Sequence, residues 1–185
     1  MKKYAIIVIV FVILAVVAFF FYDYFRPASP PGEVSLTSRD LTVSVSYSRP
    51  SVRGRVIFGD RVPGDSDQQP LQPYGEYWRL GANAATEITL SRDVLFNGSA
   101  ISAGTYRMYA IPGRESFEIV LNTETGVSGS QPPDPARDVL RTKVPVEKPA
   151  APVEMFTITL EEVSDGMDMV FEWSDVRFVV PIAIQ

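Results

Sequence analysis

The chain has 185 residues, 46% of them apolar, with 17 basic and 22 acidic side chains and a net charge of −5. It contains no His and no Cys. The missing Cys excludes a disulfide framework, a zinc finger, an iron–sulfur cluster, a thiol nucleophile and a lipid-modified Cys anchor, and the missing His excludes a Ser-His-Asp triad and an HExxH site. With most catalytic routes closed, the expectation is a protein that is not an enzyme and holds no cofactor or metal.

In chain order, the first element is an apolar run. From Tyr4 to Tyr22 every residue is apolar or aromatic, YAIIVIVFVILAVVAFFFY, 19 in succession. As a helix it would extend roughly 28 Å, close to the ~30 Å hydrocarbon core of a bilayer. The run is longer than a typical signal-peptide core, and bulky FFFYDYFRP follows where a signal peptidase needs small side chains. It therefore reads as an uncleaved signal anchor over residues 1–25, a single transmembrane helix. Lys2 and Lys3 precede it and Arg26 follows beside Asp23, so the positive-inside rule places the N-terminus in the cytoplasm and the rest in the periplasm, on the outer side of an inner membrane. The run holds no Gly and hence no GxxxG face. Ala15 and Ala18 offer a small close-approach patch, and Phe19 and Phe20 offer rings for helix packing, with lipid contact as the plainer role of each.

Residues 26–33, RPASPPGE, read as a stiff proline-rich linker. Residues 34–185 form the predicted globular domain. Apolar residues there alternate with polar ones at 41–47, 88–91, 106–110, 117–121, 156–160, 167–173 and 178–184. Period two marks strands with one buried and one wet face. Asn97-Gly98 and Pro112-Gly113 sit where hairpin turns belong. The predicted fold is all-β, an antiparallel β-sandwich or jelly-roll-like domain behind one N-terminal transmembrane helix. Residues 60–73 and 123–137 read as long surface loops. Residues 144–154, VPVEKPAAPVE, read as an extended crossing between sheets.

Beyond Lys2 and Lys3 the chain carries 15 basic and 22 acidic side chains, a net charge of −7. That balance argues against a nucleic-acid partner. Within it, YSRPSVRGRVIFG is a basic island, with Arg49, Arg53 and Arg55 close together after Tyr47. Arginine forks grip carboxylates or phosphates from a ligand, a lipid or a partner subunit, or else pair with acids of their own domain. PYGEYWRLGANAATE then groups Trp78, Arg79 and Asn83, a mixture suited to a small cleft. The alternative makes Trp78 a core plug and Asn83 a cap at a corner. Asp65-Ser66-Asp67 is a weak calcium candidate without EF-hand spacing.

Taken together, YSRPSVRGRVIFG, PYGEYWRLGANAATEITLSRDVLFNG, AGTYRMYAIPG, FEIVLN and DVLR resemble, in order, a bacterial envelope family catalogued only as a domain of unknown function (DUF 2911 type). The resemblance runs from about Leu41 to the C-terminus. It implies an exported, β-rich domain without an established activity. The family tends to have an aromatic stretch with Trp-Gly before the DVLR-like block, where this chain reads TGVSGSQPPDPAR.

The functional expectation is a non-catalytic, single-pass accessory subunit. It would dock on and stabilise a larger integral membrane protein complex through helix and domain together. Energy-transducing assemblies, photosynthetic or respiratory, are the kind of host that carries such extras. The alternative is a membrane-tethered binding module for a glycan or lipid-like ligand at Tyr47, Arg49, Trp78, Arg79 and Asn83.

Overall fold

The computed structural model describes residues 12–17, 27–64 and 69–185, and thirteen strands lie among them, the longer ones mostly where apolar and polar side chains alternate. In chain order they are β1 (Pro31–Ser38), β2 (Leu41–Ser48), β3 (Phe58–Gly59), β4 (Gln72–Pro73), β5 (Thr86–Leu90), β6 (Val94–Phe96), β7 (Ser99–Ile101), β8 (Gly104–Ile111), β9 (Ser116–Asn122), β10 (Asp138–Pro145), β11 (Val153–Val163), β12 (Gly166–Ser174) and β13 (Val176–Ile184). They build a six-stranded sheet ordered β1-β2-β5-β8-β9-β10 and a five-stranded sheet ordered β11-β12-β13-β6-β7. Pairing within both is antiparallel, and β3 and β4 form a small parallel pair beside them. The fold is all-β, as the period-two pattern requires.

The turns follow the local chemistry. Asn97 (φ 46°) and Gly98 (φ 79°) join β6 to β7, and Arg39 (φ 48°) and Asp40 (φ 66°) join β1 to β2. Paired positive φ values match the right-handed twist of the strands, which is why two-residue hairpins favour them. The proline-rich segment 144–154 leaves β10 in one sheet and enters β11 in the other, as expected.

The inner faces of both sheets meet in one core. Trp78, Trp173, Phe117, Phe156, Phe171 and Phe178 are buried there, with half-buried Phe58 against them. Trp78 and Trp173 stack with centroids 5.8 Å apart, and Phe58 meets Trp78 edge-on at 5.2 Å. Tyr47 stitches the sheets together at one edge: its hydroxyl accepts from the Ile158 amide at 3.0 Å. Nearby, the Ser38 hydroxyl donates to Glu162.

Three expectations need adjustment. β1 begins at Pro31, so the last residues of the stretch read as a linker already pair with β2. β10 forms where alternation had marked no strand. Arg107 and Tyr109, expected on a wet face of β8, are 2% and 3% exposed. The reason is tertiary: segment 123–137 passes over that face and contributes the Gln131 carbonyl to Arg107. Most of the apolar N-terminal run, including Ala18, Phe19 and Phe20, lies outside the described residues, as does Asp65-Ser66-Asp67. Residues 12–17, with Ala15 among them, are helical and exposed. Among the described residues no helix is long and apolar enough to cross a membrane.

Candidate functional site

Leaving β2, the chain turns at Arg53 (φ 50°) and Gly54 (φ 69°) before reaching β3. A second corner lies at Leu80 to Asn83, where Leu80 (φ 52°), Gly81 (φ 149°) and Asn83 (φ 57°) all have positive φ. Gly81 is required there: an added Cβ would lie 2.7 Å from the Ser48 carbonyl oxygen. These corners flank an open cleft of about 300 Å³. Arg53, Arg55, Arg79 and Asn83 line it, with Gln72 and Trp173 among the other contributors. Ala28 and Ser29, at the start of the domain, complete one side.

The sequence candidates divide into two groups. Tyr47, Arg49 and Trp78 serve the domain itself. Tyr47 and Trp78 are in the core. Arg49 reaches across to β11, where Nη2 donates to Thr157 Oγ1 at 3.1 Å. Trp78 joins β8 through paired backbone bonds with Ala110, each 2.8 Å. This matches the core-plug reading of Trp78, and these residues do not form one ligand cleft with Arg79 and Asn83 as the binding alternative requires. Arg53, Arg55, Arg79 and Asn83 do gather at one cleft, although the two pairs come from separate segments.

Within the cleft the guanidinium groups differ in their ties. Arg55 is held by its own loop, donating Nη2 to the Ser51 carbonyl at 2.6 Å and Nε to the Val52 carbonyl at 3.1 Å. Arg79 Nη1 donates to the Asn83 carbonyl at 3.3 Å. Asn83 acts as a corner cap: its carbonyl also accepts from Gly129 N, and its side-chain amide donates to the Ser29 carbonyl. The Arg53 backbone amide donates to Glu154, while its exposed guanidinium has no partner among the described residues. Trp173 also lacks a hydrogen-bond partner for its buried indole N–H. Trp173 lies 95 residues beyond Trp78 in the chain, and no local pattern could have assigned it to this cleft.

A second polar cluster lies on the outer face of β8 to β10. Arg107 donates to the Tyr77 hydroxyl at 2.6 Å, and Tyr109 donates to Asp138 at 2.9 Å. Asn122 donates to Asp138 at 2.8 Å and to the Asp134 carbonyl at 2.9 Å. Arg141 binds the same Asp138 at 2.8 Å. Burial, reinforced by the hydrogen bond to Asp138, pushes the Tyr109 hydroxyl well above the ordinary tyrosine range. The Arg141 pKa is raised as well, chiefly by its hydrogen bond to Asp138. Sequence reading missed this cluster, because its members belong to three strands and two loops. It pins segment 123–137 to the sheet through the Asp134 and Gln131 carbonyls.

No group of three or more acidic side chains is placed to hold a metal ion among the described residues. No curated protein and no solved structure matches the chain. The match to a family is extensive, however: residues 29–182 fit the family described as protein of unknown function (DUF2911), covering nearly all of both sheets and all of the cleft lining but Ala28, and the chain belongs to that family.

Proposed function

We propose that the protein is a single-pass, membrane-tethered accessory subunit whose β-sandwich docks on and stabilises a larger membrane protein assembly without performing chemistry of its own. The observation that carries this reading is the 19-residue apolar run, uninterrupted by any polar side chain, that leads through a short proline-rich stretch into the domain. In this reading the run is a transmembrane signal anchor, its N-terminus is cytoplasmic and the sandwich is periplasmic. Helix and domain then contact the host at two sites, and the second contact is made at the high effective concentration set by the first. The use of Tyr47, Arg49 and Trp78 inside the fold supports a scaffolding role over an enclosed small-molecule site. An energy-transducing host, photosynthetic or respiratory, is the first to examine.

The test is gentle detergent extraction from the native membrane followed by native electrophoresis. The expected result is co-migration with a much larger assembly. Migration solely as a free monomer would overturn the reading. A second reading, a tethered module for a glycan or lipid-like ligand, is favoured by one observation: Arg53, Arg55, Arg79 and Asn83 share a cleft. Ligand-dependent shifts in melting temperature that vanish in an Arg79→Ala, Asn83→Ala variant would support it.

A further inference from the structure

We infer that the cleft lined by Arg53, Arg55 and Arg79 binds the phosphate group of an anionic phospholipid at the membrane surface from which the domain emerges. The inference rests on the membrane-tether reading above and adds a ligand and a site to it.

Three observations converge. The first is position. Ala28 and Ser29 line the cleft, and Ala28 follows the end of the apolar run by only six residues. Even a fully extended chain covers no more than about 3.3–3.6 Å per residue, so six residues can span at most roughly 20 Å. The second is charge. Arg61, Arg107, Arg114, Arg137, Arg141 and Arg177 are all paired with carboxylates. The three arginines of the cleft have no carboxylate partner for their guanidinium groups among the described residues, and no acidic residue lines the cleft. Three guanidinium groups without a carboxylate partner thus gather beside the tether, in a chain that carries a net charge of −7 beyond Lys2 and Lys3. Guanidinium forks match phosphate oxygens in geometry as well as charge.

The third observation selects a lipid over a free anion. Val56 is 58% exposed and Leu71 38% exposed. The Leu71 amide donates to the Val56 carbonyl at 3.0 Å, which holds these two residues side by side at the cleft. Leu71 lines the cleft and Val56 directly follows Arg55. An apolar pair next to an open basic cleft suits the boundary between headgroups and acyl chains, where both kinds of side chain gain.

The experiment uses the full chain in nanodiscs containing equal phosphatidylglycerol and phosphatidylcholine, released gently into a native mass spectrometer. Phosphatidylglycerol should be retained over phosphatidylcholine by about tenfold, from the contribution of arginines near an anionic surface. An Arg53→Gln, Arg79→Gln double variant should reduce that preference to near parity while its melting temperature stays that of the parent. Equal retention by the parent, or an unchanged preference in the folded variant, would overturn the inference. Hydrogen exchange separates the sources of phosphate. Residues 53–56 and 71–83 should be slowed in phosphatidylglycerol discs and not by inorganic phosphate added to phosphatidylcholine discs. Equal slowing by inorganic phosphate would assign the cleft to a free anion and overturn the lipid assignment. Alkaline extraction of native membranes tests the tether separately: release of the protein would remove the tether reading itself, whatever the lipid measurements give.

Discussion

Trp78 shows how one side chain decides between a binding role and a structural one. It is 1% exposed, stacks on Trp173, and meets Phe58 and Phe156 edge-on. Truncating it would remove contacts from both sheets at once, so Trp78→Ala should cost about 3–5 kcal/mol of stability in denaturant unfolding. Its indole N–H has no partner among the described residues, and for that reason Trp78→Phe should cost far less. Tyr109 makes a different point. Its folded-state pKa is raised by burial and then by Asp138. The proton-bound form is the one the fold favours, so its contribution is complete below the ordinary tyrosine value near 10. It declines as pH rises above that value, because the unfolded chain then ionises more readily than the folded one. Melting temperature should therefore fall between about pH 10 and 11 more steeply in the parent than in Tyr109→Phe. The core-plug role of Trp78 was one of two readings the sequence offered, whereas the role of Tyr109 was not visible there. Period two assigned Tyr109 and Arg107 to solvent, and only the loop above them reverses that.

Elements that carry clear alternation are the ones legible in advance. β2, β9 and β13 have apolar side chains at every second position, and all of those but the half-buried Ile184 are buried. β1 and β10 are less legible for a physical reason: both are sheet edges, where exposure is greater and apolar alternation is less strictly required. Segment 123–137 looks like an unconstrained loop from its Gly, Ser and Pro content. Yet Asp138 receives Tyr109, Asn122 and Arg141, and Asn122 also holds the Asp134 carbonyl. Replacing Asp138 with Ala would leave buried donors unmet, at about 1–3 kcal/mol for each. The expected outcome is faster hydrogen exchange and proteolytic nicking within 123–137, with β11–β13 remaining protected. Uniform loss of protection across both sheets would show instead that the cluster holds the whole fold.

At the scale of the whole molecule, the two sheets bring together segments that are remote in sequence. Arg53 and Arg55 come from the exit of β2, Arg79 and Asn83 from the corner before β5, and Trp173 from the end of β12. The basic island therefore becomes one wall of a cleft. Its first arginine, Arg49, is drawn away to β11. If the cleft faces an anionic surface, its interactions are partly screened by salt, with a Debye length near 8 Å at physiological ionic strength. The phosphatidylglycerol preference of the full chain should then weaken as salt is raised from 0.05 to 0.5 M, on the order of several-fold, when measured in the same nanodiscs. A preference independent of salt would count against the cleft arginines as its source.

Local chemistry sufficed for whatever depends on neighbours along the chain: the all-β class, the Asn97-Gly98 hairpin, the crossing at 144–154 and the family blocks from Tyr47 onward. Side-chain period and turn preference are short-range properties, so they survive without knowledge of the fold. Which face of β8 is wet, which arginine is spent on the opposite sheet, and which residues share a cleft depend on contacts between strands and loops far apart in sequence. Those were decided only when the two sheets closed on each other and segment 123–137 settled over Arg107.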